Sequence, residues 1–150
     1  MQYTEATQGR VFVLRLEQGD LLPDTIESFA RHKGISSGVV YLLGATDQDS
    51  KIVSGPRDAE STRVPMDVNE HLLNDVYESF GFGTLFPDEN KVPFLHLHAG
   101  FGRNKNALVG CIRPGVSIWL YMEVVIIELL NCTAKRKVNP DNGFTLLEID

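Results

Sequence analysis

Cysteine is scarce in this sequence, which has Cys111 and Cys132 in 150 residues. Two cysteines are too few for a disulfide framework, so we expect thiols in a reducing compartment, or one metal ligand. An apolar run of the ~18 residues needed to span a bilayer is also missing. The longest candidate, residues 116–130, is interrupted by Glu123 and Glu128. The N-terminus is polar and lacks the apolar segment of a signal peptide. We therefore expect a cytoplasmic protein with no membrane partner.

An excess of positive charge is absent as well. The 14 Lys and Arg residues are outnumbered by 20 Asp and Glu residues, for a formal net charge of −6. An acidic surface repels phosphate backbones and argues against direct nucleic-acid binding. The sequence also contains neither a Walker-type glycine loop nor a G-x-S-x-G elbow. It therefore carries none of the common sequence signatures of nucleotide-binding or serine-hydrolase sites.

The length and composition are those of one globular domain, residues 1–150. Hydrophobic residues make up 43% and charged residues 23% of the chain. A domain of this size buries roughly 70% of the surface that its unfolded chain would expose. One hydrophobic core is therefore expected, and the sequence shows no linker, repeat or low-complexity segment.

One helix is predicted near the N-terminus. It begins near Pro23, since proline is tolerated in a first turn, with Asp20 or Asp24 as the capping residue. Apolar residues at helical spacing follow, and Gly34 ends the helix after three basic residues. These features predict one substantial helix over residues 23–33.

The rest of the chain is predicted to be β-structure. We predict strands at residues 10–16, 38–43, 51–54, 75–82, 93–102, 106–112, 116–131 and 144–149. Turn dipeptides separate several of them, and consecutive strands with short turns pair antiparallel. Residues 55–70 are polar and predict a surface segment. The predicted fold class is α+β: a mostly antiparallel β-sheet with one main flanking helix.

Two histidines, His96 and His98, alternate along a predicted strand. Alternate side chains of a strand share a face, so both imidazoles point the same way, with α-carbons about 6.6 Å apart. Imidazoles at that spacing can converge on one ion, and neutral imidazole is a common ligand of zinc. The spacing by itself is a weak signal, because such a pair is often only the polar face of a strand. We predict a divalent transition metal, zinc, at this pair.

Cys111 is the candidate third ligand. An even-numbered loop around Asn104 and Lys105 would place Cys111 opposite His98 on the same face, whereas an odd loop would shift the register and place it on the other face. The sequence does not choose between the two. Free cysteines are also commonly small buried hydrophobes, which is the alternative for Cys111.

Two other titratable residues are weaker candidates. Glu123 interrupts an apolar strand on the side of Trp119 and Tyr121, where a carboxylate is either paired at an edge or interface, or belongs to a site as a catalytic base. His71 lies in a segment without clear periodicity and is expected to be exposed. The run 124–127 is apolar on both faces, which is typical of a central strand or of one covered by another subunit.

With these residues in view, the chain resembles the plant-and-prokaryote-conserved (PPC) domain family. The resemblance is carried, in order, by Gly-Arg-Val-Phe-Val-Leu-Arg-Leu at 9–16, by Gly-Val-Val and Gly-Ala at 38–40 and 44–45, by the His-x-His-Ala segment at 93–99, and by the closing segments 123–128 and 141–144. It covers nearly the whole chain, and residues 46–75 match least.

The resemblance implies an antiparallel sheet with a flanking helix and assembly as a homotrimer. Some stand-alone prokaryotic members bind a metal through histidines, and His96 and His98 match those positions. The family often has a further histidine where this chain has Cys111, and cysteine can replace histidine as a zinc ligand. Plant members carry a separate AT-hook that binds DNA; no Arg-Gly-Arg-Pro core occurs here, so that function does not carry over.

Two functions follow as alternatives. The first is a zinc-binding protein with its site on the His-x-His strand and an open position for water or a small-molecule ligand, whose reaction, if any, the sequence does not name. The second is an oligomeric binding or scaffold module without catalytic activity. One form of this alternative is a module that associates with DNA.

Overall fold

The computed structural model describes residues 1–149. Within that range the chain forms one helix, α1 (Asp24–Lys33), and eleven strands. The strands are β1 (Thr7–Glu17), β2 (Leu21–Leu22), β3 (Gly38–Thr46), β4 (Lys51–Pro56), β5 (Val68–Leu72), β6 (Tyr77–Pro87), β7 (Pro93–Arg103), β8 (Asn106–Ile112), β9 (Val116–Leu130), β10 (Lys135–Val138) and β11 (Thr145–Glu148).

Nine of these strands form one antiparallel sheet. Its order is β1-β9-β3-β6-β7-β8-β4-β5, with β2 also paired to β9, and β10 pairs with β11 in a separate two-stranded sheet. The predicted α+β class, a mostly antiparallel sheet with one main helix, is therefore confirmed. None of the helical structure in residues 1–149 is long and apolar enough to cross a membrane.

Helix α1 begins and ends where predicted, but neither Asp20 nor Asp24 caps its N-terminus. Gly34 has a φ of 65°, and the N–H groups of Gly34 and Ile35 donate to carbonyls of the last turn, which is the Schellman arrangement. No side chain caps the other end, where Pro23 is the capping residue. Asp20 does not cap α1, because β2 lies between them. The Asp20 carboxylate instead accepts a hydrogen bond from the Glu17 N–H at 2.9 Å.

The main core lies between α1 and one face of the large sheet, here called the inner face. Ile26 and Ala30 of α1 are fully buried there. Glu27 ties the helix to the sheet, since its Oε1 accepts a hydrogen bond from the Leu95 N–H at 2.8 Å. The strands contribute buried apolar side chains at alternate positions, among them Val40, Leu42, Leu95, Leu97, Ala99, Phe101, Val124 and Ile126. The alternation of the sequence thus fixes which side chains enter the core.

The opposite face of the sheet, here called the outer face, is also apolar but largely exposed. Its large hydrophobic residues include Val11, Val13, Tyr41, Leu43, Phe80, Phe82 and Val109, each with about half or more of its surface exposed. The β10–β11 pair lies against one end of this face, where the Arg136 guanidinium stacks on the Phe86 ring. A sheet with two apolar faces and a single helix leaves one face uncovered within the chain.

Three local predictions were incomplete. The segment 55–70 was predicted to be a surface excursion, yet β4 extends to Pro56 and β5 begins at Val68. β10 was missed because its basic residues resemble a solvated loop. β9 is interrupted: Gly44 pairs with Met122 and the next residue pairs with Trp119. The extra residues form a bulge, in which Leu120 has a φ of 61°.

Candidate metal centre

The two histidines of the His-x-His segment lie side by side on β7 and face the outer side of the sheet. The Nε2 atoms of His96 and His98 are 3.1 Å apart, and the ring centroids are 4.9 Å apart. Between them Leu97 is buried in the core. The strand alternation therefore separates a packing side from a side that carries two imidazoles.

A two-residue turn brings Cys111 to the same site. Arg103 pairs with Asn106, leaving Asn104 and Lys105 as the loop, with φ angles of 49° and 67°. Positive φ at both loop positions is typical of a type I′ turn, which matches the twist of the flanking strands. This even-numbered loop sets His98 directly opposite Cys111. Of the two registers left open by the sequence, the structure has the one that puts Cys111 on the histidine face.

The three side chains fit a metal ion. Their donor atoms, one nitrogen from each of His96 and His98 and the Cys111 Sγ, all lie within 4.8 Å of one another. In a tetrahedral zinc site with bonds of about 2.0–2.3 Å, neighbouring donors lie roughly 3.3–3.8 Å apart. The two Nε2 atoms, 3.1 Å apart, are slightly closer than that spacing, so closing the site requires the rings to separate by a few tenths of an ångström and the thiol to approach them. Three donors would leave one position open.

The surroundings of His96 keep its ring neutral. Burial of the half-buried ring, followed by the charges of Arg136, His98 and Arg113, lowers the pKa of His96 to about 4. Since only the unprotonated nitrogen can bind a metal, protons do not compete for His96 near neutral pH.

The thiol behaves differently. Cys111 is only 5% exposed, and this burial raises the pKa of its thiol, with the nearby Arg113 acting in the opposite direction. The thiol is therefore protonated at neutral pH until a metal replaces the proton. Metal binding at Cys111 would release a proton.

Two arginines and a threonine that the sequence analysis did not single out lie around His96. Thr84 of β6 is the cross-strand partner of His96. The Arg136 guanidinium donates a hydrogen bond to the Thr84 Oγ1 at 2.6 Å. On the other side, Arg113 comes two residues after Cys111, just past the end of β8, and its charge acts on the pKa of both His96 and Cys111. Nothing in the sequence distinguishes Arg136 from its less buried basic neighbours, because its burial depends on how the β10–β11 pair folds back.

A shallow apolar hollow adjoins His98. Its volume is about 350 Å³, and its lining includes Tyr41, Phe80, Phe82 and Val109. The Tyr41 and Phe82 rings meet edge to face at 5.4 Å. A small-molecule ligand at the histidines would have an apolar surface beside it.

The other candidates lie elsewhere. Glu123 is exposed on β9, beside a cavity of about 340 Å³ that includes Trp119 and Tyr121. β9 is three strands from β7, or about 14 Å at the usual strand spacing. Within one chain Glu123 therefore does not reach the histidines. His71 is at the sheet edge, with its Nε2 2.7 Å from the Ser54 Oγ, and is not part of the His/Cys group.

Comparison with known proteins identifies the family. The sequence model of the Plants and Prokaryotes Conserved (PCC) domain, the family abbreviated PPC above, matches residues 3–130. The chain belongs to this family. The matched range contains β1 to β9 and α1, and therefore the whole His96/His98/Cys111 group.

Solved structures of other proteins share the fold. A metal-containing protein from Archaeoglobus fulgidus superposes with a TM-score of 0.84 over 99% of both chains, at 23% sequence identity. A plant- and prokaryote-conserved protein from Pyrococcus horikoshii gives a TM-score of 0.81 over 99% of this chain and 97% of that one, at 21% identity. At these identities the likeness establishes the fold of this PCC domain and nothing finer.

A curated relative places a similar sequence in a longer protein. The bifunctional protein GlmU of a Synechococcus species is 27% identical over 143 residues, which is 94% of this chain. The chain spans about a fifth (21%) of the length of that relative. The match therefore relates this domain to one part of a larger protein.

Proposed function

We propose that this PCC-domain protein binds one divalent transition metal ion, zinc, through His96, His98 and Cys111. The observation that carries the proposal is the convergence of three donor atoms within 4.8 Å across two neighbouring strands. The donor chemistry is that of zinc, which accepts nitrogen and sulfur ligands in tetrahedral geometry. The similar fold of an archaeal protein described as metal-containing adds support.

The three ligands define what a zinc ion could do at this site. When bound with three protein ligands, zinc supplies a Lewis acid with one position open to water or a small molecule. His96 and His98 would hold it from the exposed side and Cys111 from the buried side. The hollow lined by Tyr41 and Phe82 would receive an apolar part of a ligand. We propose a ligand-binding metal site and assign no reaction.

The decisive experiment is metal content per chain. Untagged protein, purified and incubated with zinc, is expected to hold close to one ion per chain by elemental analysis. His96→Ala/His98→Ala should hold almost none, and Cys111→Ser should bind more weakly because a hydroxyl is a poorer zinc ligand. His71→Ala is the matched control and should retain the metal, since His71 lies outside the group. Wild-type protein that takes up no metal would refute the proposal.

A second proposal concerns assembly. We propose that copies of this chain cover the β1–β9–β3 end of the outer face, away from the histidines, as a homotrimer. The exposed side chains of Val11, Val13 and Leu43 lie on β1 and β3, the two strands on either side of β9. Exposed apolar patches of this kind are uncommon on monomers and typical of interfaces. At the end of the patch the exposed side chains become charged, with Arg15 and Glu123 as cross-strand neighbours.

Light scattering coupled to size-exclusion chromatography tests this proposal. The expected mass is about 50 kDa, three times the 16.7 kDa chain. Val13→Asp should shift the protein toward monomer, whereas Val138→Asp, an exposed valine on β10, should not. A wild-type mass of one chain would refute assembly. Duplex DNA is not expected to bind at moderate salt, given the net charge of −6.

A further inference from the structure

The residues around the metal group carry an excess of positive charge. Of the three donors, Cys111 alone becomes negative on binding, so a divalent ion there would leave a local charge of about +1. Arg136 hydrogen-bonds Thr84, the cross-strand partner of His96, and Arg113 comes two residues after Cys111, so each adds a further positive charge. This local balance is opposite in sign to the chain as a whole, which has a net charge of −6.

Neither arginine is neutralised within the described part of the chain. No carboxylate of residues 1–149 forms an ion pair with Arg113 or Arg136. Asp88 and Glu89 line a cavity of about 240 Å³ with Arg136, but neither pairs with it. Buried charges are ordinarily paired, and Arg136 is only 4% exposed. Among residues 1–149, the Arg136 guanidinium therefore lacks the ion-pair partner expected at this depth.

The geometry holds the Arg136 guanidinium in place. Its Nη2 donates to the Thr84 Oγ1 at 2.6 Å, and its plane lies over the Phe86 ring, 5.5 Å from the centroid. The Nε–H is buried and has no hydrogen-bond partner in residues 1–149. A guanidinium fixed by one bond and one stack retains N–H donors for an oxyanion.

We propose that the ligand of this site is a small molecule with an oxyanion, a carboxylate or a phosphate, held between Arg113 and Arg136 beside the metal. The inference deepens the proposed metal site and rests on it for the position of the ligand. The oxyanion neutralises the local charge and occupies the guanidinium donors. The rest of the molecule extends toward the open position of the metal and the hollow at Phe82.

Titration calorimetry with inorganic phosphate and with acetate, at fixed chloride, tests the proposal on zinc-loaded and metal-free protein. We expect wild-type protein to bind at least one of the two anions with a dissociation constant below about 10 mM. Arg113→Gln should weaken that binding by about tenfold, because one charge-assisted contact is lost. Arg31→Gln, an exposed arginine of α1 on the other side of the sheet, is the control and should bind as wild type does. Tighter binding of phosphate would indicate a phosphoryl compound, and of acetate a carboxylate.

Arg136 needs a separate variant because its removal can disturb the β10–β11 pair. Arg136→Lys keeps the charge and loses the planar fork, so anion binding should weaken while circular dichroism stays unchanged. If wild-type protein loads metal but binds neither anion, or if Arg113→Gln and Arg136→Lys both bind as wild type does, the anion proposal is overturned and the metal proposal stands. If no metal loads, the metal proposal fails, and phosphate and acetate binding by the metal-free protein still decides whether the guanidinium pair binds anions.

Discussion

The two faces of the large sheet are built from the same alternation and serve different purposes. On β7, Leu97 points into the core and His98, the next residue, points out to the candidate site. The inner face is closed by α1, and its side chains are buried. The outer face keeps large apolar groups and all three candidate ligands without a helix over them. The comparison teaches that one strand supplies stability with one set of residues and a binding surface with the other.

The largest difference between the two faces is expected in the free energy of unfolding when a phenylalanine of each face is replaced by alanine. Phe101 is 1% exposed on the inner face, and Phe80 is 68% exposed on the outer face. Phe101→Ala should lower the free energy of unfolding by about 3–5 kcal/mol, from lost burial and the cavity left behind. Phe80→Ala should cost less than about 1 kcal/mol. Urea unfolding measures both, and a large Phe80→Ala loss that shrinks on dilution would instead place Phe80 inside an assembly interface.

A smaller effect is expected where β6 passes close to the histidine strand. A Cβ added at Gly83 would lie 2.7 Å from the His96 carbonyl oxygen, whereas one added at Gly102 would meet nothing within 4 Å. Gly83→Ala should therefore destabilise the protein by about 1–3 kcal/mol through overpacking. It should also weaken metal binding, because β7 must shift. Gly102→Ala is the control in both the unfolding and the metal assay, and equal behaviour of the two variants would contradict the close approach.

The smallest effect is pH-dependent and concerns the edge of the sheet. The Arg10 guanidinium hydrogen-bonds Glu128, and with an additional bond from the Arg10 N–H it lowers the pKa of Glu128 from 4.5 to about 2. The unfolded chain therefore binds a proton at higher pH than the folded chain does. The stabilisation is fully present above about pH 4.5 and is lost as the pH falls toward 2.

Thermal unfolding between pH 7 and pH 3 measures this contribution. Glu128→Gln should reduce the acid-dependent fall in melting temperature, whereas Glu123→Gln, an exposed carboxylate on the same strand, should leave that fall unchanged. An identical pH profile for wild type and Glu128→Gln would show that the Arg10–Glu128 pair does not contribute.

Much of the fold could be predicted because periodicity and turn residues act locally. The alternation around Leu95 and Leu97 and the helix end at Gly34 can each be recognised from a few neighbouring residues of the sequence. β10 was missed for the opposite reason. Its burial at Arg136 depends on contact with β6, more than forty residues earlier in the chain. The bulge at Leu120 was also missed, since its extra residues can be recognised only when β9 is aligned with its partner strand β3.

The candidate site divides in the same way. The shared face of His96 and His98 follows from strand geometry alone, and the structure has it. The face on which Cys111 lies depends on whether the β7–β8 loop has an even or an odd number of residues, which the sequence left open. The two-residue turn at Asn104 and Lys105 places Cys111 on the histidine face. Arg113 and Arg136 could not be predicted, because their closeness to His96 is a tertiary property. Zinc and the trimer remain predictions.

The two-residue turn between β7 and β8 has a consequence for how this domain can change over time. Gain or loss of one codon at Asn104 or Lys105 would alter none of His96, His98 and Cys111, yet it would turn the cysteine away from the histidines. A related protein can thus keep every ligand and lose the centre, and a second compensating codon change nearby can restore it. The length of this loop is therefore heritable information about the site, and comparing loop lengths among relatives can separate those that retain the centre from those that do not.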